Sequence, residues 1–415
     1  MKIGRYKMSQ SSKKYIILTP RITGMGGGQQ YTYNKMRAMQ SLGYQVVIFS
    51  TENGEVIIPA FREYLNGVIA ELMFQPMFFG NSKRNQVVSL MLRLCGSCSE
   101  DTIIETMDQA TSQWGEMLAK EIECVHLIHF ITENPHAYSS LEVDYYLFKL
   151  SRKELLFNSR GNCDSLFFGY YSVNDEEFIK FSPQCTNVVG DVDSELSRSL
   201  PCCDYNICSI GRLEKPYVFP MVQTLRKYIA KHPTQKFNVI LIGGSDNNRV
   251  VSKIRREFAY EENCRLFITG NMYPIPRMLV EKMDLFISSS GSTRVSAGEG
   301  KVTIRIPYDT SKPCFVRFNE EKCIEAIDAD DDLEKLIKIG LSPERNRYVG
   351  SKYLNNSVEP VIQEHHALLS QIIDNAKEYY DISRIKPRGI IRIIEAFCGR
   401  VLGGRGLRWL IRHKH

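Results

Sequence analysis

The chain has 415 residues, 43% of them hydrophobic and 24% charged, with a formal net charge of +6. These values exclude a disordered chain, a collagen and a continuous coiled coil, and no apolar run approaches the ~20 residues that span a bilayer. The charge is uneven: residues 382–415 hold nine Lys/Arg against one acid, Glu395, so this segment carries +8 and the remainder −2. The five-residue apolar run Tyr15–Thr19 is too short for a secretory signal, which sets the expectation of a cytoplasmic protein with a flexible lead over residues 1–13. That run reads as a strand. A Gly-rich turn, a helix over Gln29–Leu42 and the strand Gln45–Ser50 complete a β-α-β unit. Thr102–Thr106, Val125–Ile131 and Leu155–Ser159 read as further strands, and Ser112–Glu121 as a helix.

The scheme then repeats. Strands are predicted at Tyr205–Ile210, Phe237–Ile242, Arg265–Thr269, Asp284–Ser288 and Val302–Ile306, with helices over Phe219–His232 and Val250–Phe258. Gly190–Cys203 has linker composition. A long helix is expected over Val358–Tyr380, ahead of the basic end. The pattern divides as residues 14–195, 196–357, a closing helix over 358–380 and a basic amphipathic tail over 381–415. The 12 cysteines are scattered. Cys95 and Cys98 have a metal-like spacing, but no second pair follows at finger spacing, so reduced structural thiols and no zinc site are expected.

Four segments carry chemistry. Thr23-Gly-Met-Gly-Gly-Gly-Gln29 joins a strand to a helix, with four glycines in five residues. Such a loop lets backbone approach a ligand, and the helix start offers N–H groups to an anion. It matches neither G-x-G-x-x-G nor a Walker A loop, and a tight βα turn is the plain alternative. Gly211-Arg-Leu-Glu-Lys215 follows a strand, where open α/β sheets bind ligands, and Arg212 and Lys215 are spaced to share a diphosphate; an ordinary solvated loop is the alternative. Ser288–Gly300 runs from a strand through a Ser/Gly turn into a helix start. Its hydroxyls and amides suit a phosphate or sugar and Glu299 suits a ribose diol, against the alternative of a simple helix cap. The fourth segment is Val125–Pro135. His126 and His129 lie on opposite faces of a strand and cannot share a metal. His129 and Glu133 lie toward the strand's C-terminal end and, with Glu105 and Asp108 of the preceding strand end, are candidates for acid–base chemistry. A hydrogen-bonded core histidine and solvated turn carboxylates are the alternatives.

The order of these pieces resembles the GT-B glycosyltransferases, and among them the retaining family 4 type that builds bacterial capsule, exopolysaccharide and lipopolysaccharide. The resemblance rests on Gly24–Gln29, Asn187–Asp193, Gly211–Lys215, Asp284–Ser288 and Gly300–Ile304, and covers about residues 14–380. It implies an α/β protein of two Rossmann-like parallel-sheet domains facing a cleft, the N-terminal one for the acceptor and the C-terminal one for a nucleotide-sugar. By that resemblance Arg212 and Lys215 meet the donor diphosphate in place of a metal, with the backbone of Gly26, Gly27 and Gly28. Ser290, Gly291, Ser292, Thr293 and Glu299 contact the donor sugar or nucleotide. The catalytic set would be His129 with Asp108 and Glu133. No cofactor is implied beyond a UDP- or GDP-sugar substrate. The sequence departs from the family where two glutamates eight positions apart are usual: only Glu299 is present, and Val302 stands for the usual proline. Glu105-Thr-Met-Asp108 stands where many relatives carry a histidine, so the retaining reaction uses His129 or a front-face route.

The tail interleaves apolar and basic residues around a Gly-rich break, as in Ile390–Ile394 and Leu407–Arg412. Such stretches lie in the headgroup region of anionic membranes at ~1 kcal/mol per basic residue; a solvated terminus is the alternative. The expected partners are therefore a nucleotide-sugar, a glycan or polyprenyl-diphosphate-linked acceptor and an anionic membrane surface at the inner face. Nucleic acid is not expected, since the body is near neutral. Two other functions fit the same architecture: a catalytically inactive scaffold, and a nucleotide-sugar 2-epimerase.

Overall fold

The computed structural model describes residues 13–51, 56–131, 138–181, 185, 187–245, 247–307, 312–321, 323–353, 358–372 and 378–412. The chain forms two compact units. The first comprises residues 1–24, 31–184 and 358–415, and the second residues 25–30 and 185–357.

The first unit is built on a six-stranded sheet of β1 (Lys14–Thr19), β2 (Gln45–Ser50), β3 (Leu65–Val68), β4 (Ile103–Thr106), β5 (Val125–Phe130) and β6 (Leu155–Phe157). Their order is β3-β2-β1-β4-β5-β6, and every pairing is parallel. β1 and β4 are buried along their whole length, as strands covered on both faces must be. The order reverses between β1 and β4, which makes their C-terminal ends the switch point of the sheet.

The second unit contains β7 (Val189–Gly190), β8 (Tyr205–Ile210), β9 (Phe237–Ile242), β10 (Cys264–Gly270), β11 (Ile275–Pro276), β12 (Leu285–Ser288), β13 (Thr303–Arg305), β14 (Cys314–Phe318) and β15 (Ile324–Ile327). Its main sheet runs β10-β9-β8-β12-β13-β14-β15, with β7 and β11 paired separately. β14 and β15 are antiparallel additions at one edge. The switch point lies between β8 and β12. Both sheets are thus Rossmann-like, as the sequence predicts.

Several elements differ from expectation. The strands β3, β14 and β15 and the helices Asn81–Cys95 and Ser140–Ser151 have no counterpart in the sequence reading. Within the expected helix over 358–380, the described residues form a helix over Glu359–Leu369, capped at Ser370. The presumed linker contributes β7 and a short helix, Glu195–Ser199. The tail forms a helix over Ile390–Arg412, broken at Gly403 by a left-handed φ of 67°.

That tail packs into the first unit. Ile382, Ile385, Ala396 and Leu407 join its core, and the Tyr380 amide donates to Glu116. Gly399 lets the helix approach the backbone of the Pro76–Phe78 turn: a Cβ there would stand 2.5 Å from the Phe78 carbonyl oxygen. Gly399→Ala should therefore lower stability by about 1–2 kcal/mol in urea unfolding, because the overlap outweighs the ~1 kcal/mol of helix propensity gained. Earlier proteolysis of the tail in the variant would accompany this, and an unchanged urea midpoint would contradict the packing argument.

Candidate functional site

In the second unit, the loops that carry Arg212, Lys215 and Ser290–Thr293 lie at the C-terminal ends of β8 and β12. Gly211 donates its amide to Ile242 at 2.9 Å and Leu213 to Gly244 at 3.1 Å, so the loop after β8 is tied to the end of β9. The approach is close: a Cβ on Gly243 would lie 1.9 Å from the Gly211 carbonyl oxygen. Held this way, Arg212 is exposed and Lys215 half-buried.

After β12, the Ser288 hydroxyl accepts from the Ile210 amide at 3.0 Å, linking the two strands across the switch point. Ser289 is buried with no partner for its hydroxyl among the described residues. Ser290 has φ 50° and ψ −133°, a strained conformation for a residue with a Cβ. It opens the helix Gly291–Gly298, whose first turn has no side-chain cap. An uncapped helix start with small residues can take an anion on its amides. Gly291 and Ser292 are half-buried there. Thr293 is buried and spends its hydroxyl on the Ser290 carbonyl at 2.7 Å. Glu299 ends the same helix, is 5% exposed, and pairs with Arg277 Nη1 at 2.7 Å. Arg277 also holds Asp191 at 2.8 Å. The carboxylate expected to meet a ribose is therefore engaged by an arginine.

The Gly-rich segment behaves as a helix start: the helix runs Gly27–Ser41, and Gln30 donates to Gly26 at 3.2 Å. Gly24 has a left-handed φ of 74°.

In the first unit the acid–base candidates sit differently from expectation. Glu105 is not a solvated turn carboxylate but a wholly buried strand residue. It accepts hydrogen bonds from the hydroxyls of Tyr15 and of Tyr31, the latter at 2.9 Å. Lys35 Nζ stands 3.6 Å away and His129 Nδ1 3.5 Å away. Burial pushes the Glu105 pKa up, but His129, Lys35 and the tyrosine hydroxyls together take it below the usual carboxylate value. His129 is 1% exposed and packs edge-on to Phe181 at 4.9 Å. Burial holds its pKa down to about 4. His365, on the helix Glu359–Leu369, packs on Tyr15 and Tyr44, and burial lowers its pKa to about 3.

Asp108 caps the helix Gln109–Ile122, accepting from the Ala110 amide at 2.8 Å and the Thr111 amide at 3.0 Å. Burial raises its pKa. Glu133 lies outside the described residues. His126 faces away from His129, as strand alternation requires. Neutral His126 can satisfy both its ring nitrogens, with Glu116 at 2.8 Å and Thr106 at 2.9 Å. Glu116 also binds Lys149 at 3.0 Å. Burial would raise its pKa, but Lys149 and His126 hold it down to about 2. Sequence reasoning missed these buried networks, although an ionisable residue inside an otherwise apolar strand, as in Ile103–Thr106, is the signal that could have found them.

None of the described cysteines forms a disulfide, and no cluster of three or more potential metal ligands occurs among the described residues. Hydrogen bonding from Cys95 lowers the Cys98 pKa to about 7. None of the described helices is long and apolar enough to cross a membrane.

No protein-family model matches the chain, and no curated protein matches it. Solved structures do. A glycosyltransferase from Rickettsia africae matches with a TM-score of 0.59 at 13% identity, over 88% of this chain and 100% of the other. HepE of Anabaena, solved with UDP and glucose, matches with a TM-score of 0.56 at 12% identity, over 86% and 99%. The catalytic domain of starch synthase IV from Arabidopsis thaliana, solved with ADP and acarbose, gives 0.50 at 12% identity, over 88% and 96%. At this identity the likeness establishes the fold class, which is GT-B.

The histidines make stability acid-sensitive. A histidine whose folded pKa lies below its unfolded value binds its proton preferentially when unfolded, so stability is lost as pH falls from about 6.5 toward the folded value. For His129 the loss between pH 7 and pH 5 is about 2 kcal/mol. Urea unfolding at both pH values should show it, with a flatter dependence in His129→Gln; equal slopes for variant and wild type would refute the assignment.

Proposed function

We propose that the protein is a retaining glycosyltransferase that moves a sugar from a UDP- or GDP-sugar to a glycan or lipid-linked acceptor in cell-surface polysaccharide synthesis. The observation that carries this reading is the loop pair at the switch point of the second unit. Two cations, Arg212 and Lys215, follow β8, and an uncapped helix start follows the strained Ser290 after β12. Open α/β sheets bind their ligands at this place. HepE, with the same fold class, was solved with UDP and glucose, which supports a nucleotide-sugar as the ligand.

In this reading the diphosphate lies between the cations and the helix amides. Arg212 and Lys215 stabilise the negative charge that grows on it as the bond to the sugar breaks, the part a metal plays elsewhere. The Gly26–Gly28 backbone supplies further amides. His129 is enclosed beside Glu105 and Asp108 is spent on a cap, which favours the front-face route. The acceptor hydroxyl attacks the anomeric carbon on the side the diphosphate leaves, and its proton passes to the departing phosphate oxygen. Gly243 holds the cation loop in place.

Calorimetry of the full chain against UDP, GDP, ADP and CMP tests the donor site. One nucleotide class should bind, at least tenfold more weakly in Arg212→Ala and Lys215→Ala. Absence of binding to all four would overturn the reading. Binding without turnover of the matching nucleotide-sugar would leave the inactive scaffold in its place.

The tail gives the second part of the proposal, attachment to an anionic membrane at the inner face. Ile390 is 79% and Phe397 67% exposed on a helix flanked by arginines. Large apolar side chains in water beside basic ones fit the headgroup region. The protein should co-sediment with phosphatidylglycerol vesicles but not with phosphatidylcholine vesicles, and Ile390→Ser/Phe397→Ser should release it. Equal behaviour toward both vesicle types would remove the membrane from the proposal.

A further inference from the structure

A hollow of about 360 Å³ opens in the first unit, apart from the Glu105 and Glu116 networks. The turn before the helix Asn81–Cys95, the start of the helix Gln109–Ile122 and the tail helix enclose it. Its apolar wall includes Phe74 and Tyr138, and its polar groups include Gln75, Gln109, Arg392 and Glu395.

One buried carboxylate organises these polar groups. Glu142 is 0% exposed. Its Oε1 accepts from Gln75 Nε2 at 2.9 Å, Gln109 Nε2 at 2.6 Å and Arg392 Nη1 at 3.1 Å. Both amides are thereby oriented through their nitrogens. The other end of Gln75 has no such match. The residue is only 5% exposed, and its Oε1 is buried without a partner among the described residues. An orphaned acceptor costs about 1–3 kcal/mol, which a ligand hydroxyl would recover.

The charge of the lining selects among ligands. Arg392, the one cation in the described lining, is already neutralised by Glu142. A phosphate would find no spare positive charge there. Oriented amides and carboxylates beside aromatic rings instead suit a neutral polyhydroxyl ligand, whose hydroxyls take the polar groups and whose C–H faces lie on the rings. The same helix that supplies Arg392 and Glu395 exposes Ile390, Ile391, Ile394 and Phe397. A ligand in the hollow therefore lies next to the surface assigned above to the membrane.

We propose that this hollow binds the saccharide of a lipid-linked glycan, with Gln75 Oε1 accepting one of its hydroxyls. Its identity as the acceptor rests on the transferase reading; the binding itself does not. The test is saturation-transfer NMR of the full chain with a panel of free mono- and oligosaccharides, with inorganic phosphate as competitor and UDP binding measured in parallel. Gln75→Leu and Glu395→Gln are compared after their thermal midpoints confirm folding. At least one saccharide should bind, tenfold or more weakly in both variants, with UDP binding unchanged and no competition by phosphate. A protein that binds UDP but no saccharide would overturn the proposal and leave the transferase reading standing. So would saccharide binding equal in wild type and variants, or binding displaced by phosphate. Saccharide binding lost in the variants, in a protein that ignores every nucleotide, would keep the hollow and sink the transferase reading.

Discussion

A carboxylate sealed from water governs the first unit. Glu105 sits in β4 with 0% exposure, and its hydrogen bonds reach Tyr15 on β1 and Tyr31 on the helix Gly27–Ser41. The bond to Tyr15 joins the two central strands of the sheet. An ionised group in such a place is tolerated only when fully partnered, and removing a partner costs more than the pair contributes. Two more carboxylates repeat the pattern. Glu116 takes His126, Lys149 and the Tyr380 amide, and Glu142 takes two glutamines and Arg392. Each one faces a successive piece of the C-terminal segment: His365 packs beside the Glu105 network, Tyr380 reaches Glu116, and Arg392 reaches Glu142. A basic tail that composition presents as an appendage is thus partly a structural member.

The second unit relies on close backbone approach around its loop ends, with the buried Glu299–Arg277 pair beside it. Gly243 against Gly211 draws the ends of β8 and β9 together, and Ser288 draws β12 to β8. These contacts are uncharged and local. The charged groups of the first unit, by contrast, are mostly committed to one another.

Much of this was legible in the sequence. Fully buried parallel strands read as continuous apolar runs, so β1, β2, β8, β9 and β12 stood out, and their alternation with helices pointed to the fold class. The short edge strands β3, β14 and β15 lacked that signal. Leu65–Val68 contains Asn66 and Gly67, residues typical of a turn. The candidate residues fared unevenly because residue type does not reveal partners. Arg212, Lys215 and Ser290 to Ser292 lie at the switch point. Glu299 meets an arginine 22 positions earlier, and Asp108 serves the helix that follows it. Glu142 carried no signal in the sequence, since its importance comes from Gln75 and Arg392, remote in sequence and near in space.

The discontinuity of the first unit has a consequence for how the protein is made. Residues 358–415 belong with a sheet whose strands were all synthesised before residue 185. While the ribosome translates the intervening stretch, Glu116 lacks the Tyr380 amide and Glu142 lacks Arg392. Residues 185–357 emerge as an uninterrupted block and need nothing from the last segment to close their sheet. The second unit is therefore positioned to mature first, and a premature stop before residue 358 would spare its strands while leaving the first unit with buried acids short of partners. Such a fragment would be a natural target for quality control, even though every strand of both sheets had been translated.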